Sequence, residues 1–151
     1  MKLKNRGRKR SGGKGEMQMK VLQKRVGEPL KVVETAERYF MPCAKSFFED
    51  GVWTERVYIQ GYEFIMVVDE EGLRKRLPVN FFMGFKNPLF PVQIIVGDVV
   101  FIRNKKIDYE GEIDDWEVAD ITEDDIAAIN NLLDSKRQIT LSRLYKRMGG
   151  A

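Results

Sequence analysis

Charge is the chemistry most available to this 151-residue chain, and it sits in three places. Lys2, Lys4, Arg6, Arg8, Lys9, Arg10 and Lys14 crowd the first stretch, spaced by Gly7, Gly12, Gly13 and Gly15. A run of this kind can track the phosphates of RNA or DNA, each contact adding to a steep salt dependence. It can equally be a solvated tail, or an extension upstream of a domain that starts at Met19. Towards the other end, Arg137, Arg143, Lys146 and Arg147 share a stretch with Leu141, Leu144, Tyr145 and Met148 at helical spacing. Such an amphipathic helix can dock on a partner, on nucleic acid, or on an acidic part of its own domain. The nucleic-acid candidates are therefore Arg6, Arg8, Lys9, Arg10 and Lys14 at the front and Arg143, Lys146 and Arg147 at the back.

The third place has the opposite sign. Residues 107–134 hold eleven acids and no Lys or Arg. The net charge of +3 hides this segregation: residues 1–20 carry +7, residues 21–106 +2, residues 107–134 −11 and residues 135–151 +5. Asp114, Asp115, Asp120, Glu123, Asp124 and Asp125 are the candidates for a partner-binding face. A carboxylate-studded face can occupy the basic groove of a nuclease or DNA-binding protein. The alternative is a solvated face whose acids cap one helix or pair with the basic last helix, which is the commoner fate of a charge run. Asp114 and Asp120 could also hold Mg²⁺, which takes oxygen ligands. Yet these acids crowd one segment instead of converging from several.

Much else is excluded. The chain has no histidine, which removes Ser-His and Cys-His catalysis, imidazole metal sites and the usual proton shuttle near neutral pH. Cys43 is the single cysteine, so there is no intrachain disulfide and no multi-cysteine metal site. It reads as a small buried hydrophobe, since no imidazole can activate it. Neither G-x-x-x-x-G-K-[ST] nor G-x-G-x-x-G occurs, so no phosphate cradle of a known kind is present. These absences point to a non-enzymatic protein without a cofactor. No apolar run approaches the ~20 residues of a membrane helix. The basic start is followed by no apolar signal core, which with the lone cysteine predicts a protein of a reducing cytosol.

The elements that must position these charges are legible in outline. A hydrophobic fraction of 43% suffices for one modest core. Residues 1–18 read as a disordered arm, because only Leu3 is apolar before Met17 and nothing offsets the entropy of ordering. Residues 19–34 predict a strand pair around the turn Gly27-Glu28-Pro29. Residues 35–51 predict a broken helix: Thr35 caps a first turn, Pro42 opens a second, and Gly51 ends it. Its stripe is Tyr39, Phe40, Cys43, Phe47 and Phe48. Residues 53–60 and 62–69 predict a hairpin across Gln60-Gly61. Residues 73–77, with Arg74, Lys75 and Arg76, read as a solvated edge.

Residues 81–91 mix Phe81, Phe82, Phe85 and Phe90 with Gly and Pro. They either cover the core or, with Arg74, Lys75, Arg76 and Lys86, form a stacking platform for a single strand. The lack of alternation favours core cover. Residues 93–103 predict one strong strand with a bulge at Gly97-Asp98, and residues 114–119 a last short strand. Thr122 then caps a helix whose first turn is acidic. The expected fold is α+β: a mainly antiparallel sheet with a broken N-terminal helix and one or two C-terminal helices packed on it. Residues 19–134 form the domain, flanked by the arm and by a basic helix or tail over 135–151.

From Met19 onward the chain resembles an uncharacterised domain family of phages and conjugative or integrative elements. The likeness rests on Met19-Lys20-Val21-Leu22 with Gly27-Glu28-Pro29, and on Val68-Asp69-Glu70-Glu71-Gly72-Leu73 followed by Leu77-Pro78-Val79-Asn80. It continues through residues 95–102 and the helix opened by Thr122-Glu123-Asp124-Asp125-Ile126, covering about residues 19–134. It departs from the family pattern in residues 81–91 and in both basic ends. The family brings no activity with it. The resemblance implies an accessory protein of a mobile element in a bacterial cytoplasm; the charge blocks make nucleic acid or a host protein its expected partner.

Overall fold

The computed structural model describes residues 18–85, 88–105 and 116–149. The arm residues Arg6, Arg8, Lys9, Arg10 and Lys14, and the acids Asp114 and Asp115, lie outside them. The chain is α+β, built on antiparallel sheets. Its strands are β1 (Met19–Lys24), β2 (Lys31–Thr35), β3 (Thr54–Tyr58), β4 (Phe64–Asp69), β5 (Val79–Gly84), β6 (Val92–Val96), β7 (Val99–Lys105) and β8 (Glu117–Ala119). The helices are α1 (Phe40–Lys45), α2 (Glu123–Leu132) and α3 (Ser135–Arg147). None is long and apolar enough to cross a membrane.

The main sheet runs β2-β1-β7-β4-β3, with β8 pairing the far end of β7. β4 and β7 sit at its centre, and their buried positions are apolar except for Asn104 near the end of β7. Along β4 the side chains alternate: Phe64, Met66 and Val68 enter one cluster, Ile65 and Val67 the other. The second cluster holds Phe40, Cys43 and Ala44 of α1. The first holds Phe81 and Met83 of β5, Ile95 of β6, and Ile121 and Ile129 around α2. A strand covered on both faces reads as a continuous apolar run, as this one does. Each fully buried side chain of this size contributes roughly 1.5–3 kcal/mol.

Four expectations are corrected. The broken helix is one six-residue helix, α1. Thr35 ends β2, and its hydroxyl accepts from Glu37 N at 3.1 Å without starting a helix. The chain instead runs extended to bridge Tyr39 with Glu117. Pro42 lies in the first turn of α1, where a backbone N–H has no partner inside the helix anyway.

The bulge at Gly97-Asp98 is a corner. β6 belongs to a second, two-stranded sheet with β5, and β7 to the main sheet. Gly97 makes the turn at φ 74°, and a Cβ there would meet Leu77 Cδ1 at 2.8 Å. Residues 73–77 form a turn, not an edge strand; Arg74 pairs with Glu71 at 2.8 Å and Lys75 with Asp69 at 2.7 Å. Residues 81–84 are strand with alternating burial, contrary to the expected lack of alternation; core cover holds for Phe81, with Met83 beside it, whereas Phe90 is exposed.

Candidate nucleic-acid interface

Asn80 clasps the corner where the two sheets meet. Its Nδ2 donates to Lys24 O and to Gly97 O, both at 2.8 Å, while its Oδ1 accepts from Lys24 Nζ at 3.0 Å. Lys24 Nζ also donates to Arg25 O at 2.9 Å. That holds the ammonium at the end of β1, turned towards β5. Burial lowers the pKa of Lys24 below the ordinary lysine value, while the carboxylates of Asp98 and Glu28 pull it back up.

α3 closes the other side. Gln138 reaches the open edge of β5 and pairs with it as a strand would. Phe82 N donates to Gln138 Oε1 at 2.8 Å, and Gln138 Nε2 donates to Phe82 O at 3.0 Å and to Leu132 O at 2.7 Å. Two turns on, Tyr145 lies against Phe82, ring centroids 5.6 Å apart and planes at 55°. Asp134 caps the helix, its carboxylate accepting from Arg137 N at 3.2 Å. α3 buries no residue fully, so these few contacts set its position.

Between α3 and the corner runs a groove of about 470 Å³. Lys24, Arg143 and Lys146 lie along it, with Phe82, Ile139 and Ser142, and no carboxylate is among its walls. Arg143 and Lys146 have no ion-pair partner among the described residues. Arg147 is exposed on α3 outside the groove walls. The structure thus brings together two of the three C-terminal candidates and adds Lys24, which sequence alone did not single out. Lys24 is an ordinary polar position on an alternating strand; only the fold places it opposite α3.

The acidic candidates fare differently. Asp125 is 5% exposed. It accepts two hydrogen bonds of 3.0 Å from Arg103 Nη1 and one of 3.0 Å from Thr122 N. Asp125 N in turn donates to Thr122 Oγ1 at 3.0 Å, which completes a reciprocal cap at the start of α2. Asp120 accepts from Lys20 N at 2.8 Å. Glu123 and Asp124 are exposed in the first turn of α2.

Outside the groove, about 360 Å³ opens beside Trp53 and about 410 Å³ beside Phe47 and Phe48. No three His, Cys, Asp or Glu side chains gather as a metal site among the described residues. Cys43 is buried under the main sheet, and burial pushes its pKa up to about 11 against a Thr35 hydrogen bond that lowers it. No protein-family model, curated protein or solved structure matches this chain.

Proposed function

We propose that this is a non-enzymatic accessory binding protein that engages nucleic acid through the groove under α3. The observation that carries this reading is the convergence of Lys24 from β1 with Arg143 and Lys146 from α3 on one groove free of carboxylates. Arg143 and Lys146 have no ion-pair partner among the described residues and share the groove with the Lys24 ammonium. A polyanion relieves the repulsion among these like charges while releasing its own counterions. The basic residues Arg6, Arg8, Lys9, Arg10 and Lys14 extend the same electrostatic capacity. The resemblance adds the setting: a phage or other mobile element, in the cytoplasm of a bacterial host.

Fluorescence anisotropy of a labelled oligonucleotide against salt concentration tests the proposal. Three phosphate contacts in the groove correspond to a slope of log K on log salt of about −2 for a single strand, with the arm steepening it further. Changing both Arg143 and Lys146 to Glu is expected to reduce that slope and weaken binding at least tenfold at low salt. Both residues are exposed or on the groove wall, so circular dichroism should be unchanged. Identical affinity and slope in the variant would remove the groove from the proposal. Deletion of residues 1–17 separates the arm's share.

The alternative is inhibition of a host nucleic-acid-binding protein by the acidic segment 107–134. Of its candidates among the described residues, Glu123 and Asp124 are the carboxylates left exposed without a partner. Asp120 and Asp125 are occupied within the fold.

A further inference from the structure

We infer that the groove takes a single strand of nucleic acid, with a base lying against Phe82 and Ile139 and its phosphates meeting Lys24, Arg143 and Lys146. This deepens the nucleic-acid reading and rests on it.

Size is the first consideration. A cavity of about 470 Å³ is of small-ligand dimensions and admits a nucleotide or two. A duplex keeps each base stacked on both sides and would have to flip one out to fill the groove. A single strand can splay a base inward at little cost.

Chemistry is the second. An aromatic face beside a row of cations is the combination that holds single strands. Ile139 is 50% exposed, an apolar side chain with no core to join. Phe82 is held on both sides: Gln138 pins its backbone N–H and C=O, and Tyr145 backs its ring. A ring already fixed in place loses little entropy when a base stacks on it. Ser142 makes no side-chain hydrogen bond among the described residues, and Lys24 Nζ has used two of its three donors. Both can still donate to a phosphate oxygen.

Specificity is the third. The groove's two amides could read base edges, but the N–H groups of both are committed. Asn80 uses both its N–H groups and accepts from Lys24, and Gln138 uses both its N–H groups and accepts from Phe82. Stacking and charge therefore carry most of the binding, and the groups left to meet a base edge are the Arg143 guanidinium and the Ser142 hydroxyl.

The experiment uses the full chain and three labelled probes of about twelve nucleotides, a length within the span of known single-strand sites. These are oligothymidylate, an abasic strand with the same number of phosphates, and the duplex of the first. The expected result is affinity for oligothymidylate about tenfold above both others, from one stacked base. Residues 1–18 contain no aromatic residue, so the arm cannot produce that difference. Phe82→Leu is expected to bring oligothymidylate down to the abasic value. Equal affinity for abasic and base-bearing strands, with a steep salt slope, would overturn the stacking inference and leave the nucleic-acid reading standing. Absence of binding to every probe at low salt would overturn both. Should Phe82→Leu not fold, the comparison of probes on the unaltered chain still decides.

Discussion

Two side chains show how far a residue's role depends on what surrounds it. Asp125 looks from its neighbours like one more surface acid, yet it is the buried member of the group. Arg103 Nη1 meets it at 3.0 Å, and Nη2 of the same guanidinium reaches Glu63 at 3.2 Å. A carboxylate so placed neutralises the one charge that the core face of β7 carries, and it cannot serve a partner without leaving α2 uncapped. Cys43 is the converse, a reactive group made inert. Its folded pKa of about 11 stands above the ordinary 9.0 because burial penalises the thiolate. Above pH 9 the unfolded thiol ionises and the folded one does not. The stabilisation is therefore complete below pH 9 and is lost as pH rises through 11, a change on the order of 2 kcal/mol. Urea unfolding at pH 8.5 and 10.5 checks this against Cys43→Ala, in which that loss should be missing. Parallel profiles for the two proteins would mean the thiol is not held away from water.

At the scale of elements, the second sheet and α3 depend on each other. β5 would otherwise present an unpaired edge, and such edges invite unwanted pairing. Gln138 covers it at Phe82, so one side chain does the work of a neighbouring strand. Gln138→Ala is expected to cost about 1–3 kcal/mol, since it leaves the N–H and C=O of Phe82 and the C=O of Leu132 without their partner. It should also loosen α3 selectively, read as a lowered melting temperature with faster amide exchange in 135–147. Unchanged stability would show that the Tyr145–Phe82 contact holds the helix unaided. The corner at Gly97 shows why residues 93–103 resisted division into two strands. The run Ile94-Ile95-Val96-Gly97-Asp98-Val99-Val100-Phe101-Ile102 is apolar on both sides of the glycine. Hydrophobicity marks burial, not the sheet in which a strand is buried.

For the molecule as a whole, stability is unevenly spread. The centre of the main sheet, β4 and β7, is covered by both clusters, whereas α3 has no fully buried residue. Native-state hydrogen exchange should report this gradient: amides in β7 exchange only through global unfolding, and those of α3 through smaller openings. Equal protection in the two would contradict the picture of a groove with one movable wall. That wall carries Arg143 and Lys146, so two of the three cations of the proposed site ride on the least buried helix.

What the sequence determined by itself was local. The strand pair around Gly27, the hairpin across Gly61 and the Thr122 cap all follow from residues within a few positions of one another. So did the removal of imidazole and paired-thiol chemistry, which needs only a count. The tertiary structure alone decided that β6 and β7 part company, that Asp125 turns inward, and that Lys24 lines one groove with Arg143 and Lys146. Each of these depends on side chains distant in the chain meeting in space. No window of neighbouring residues carries the energy of such a meeting, because the packing and charge interactions that fix it do not exist until the chain has folded.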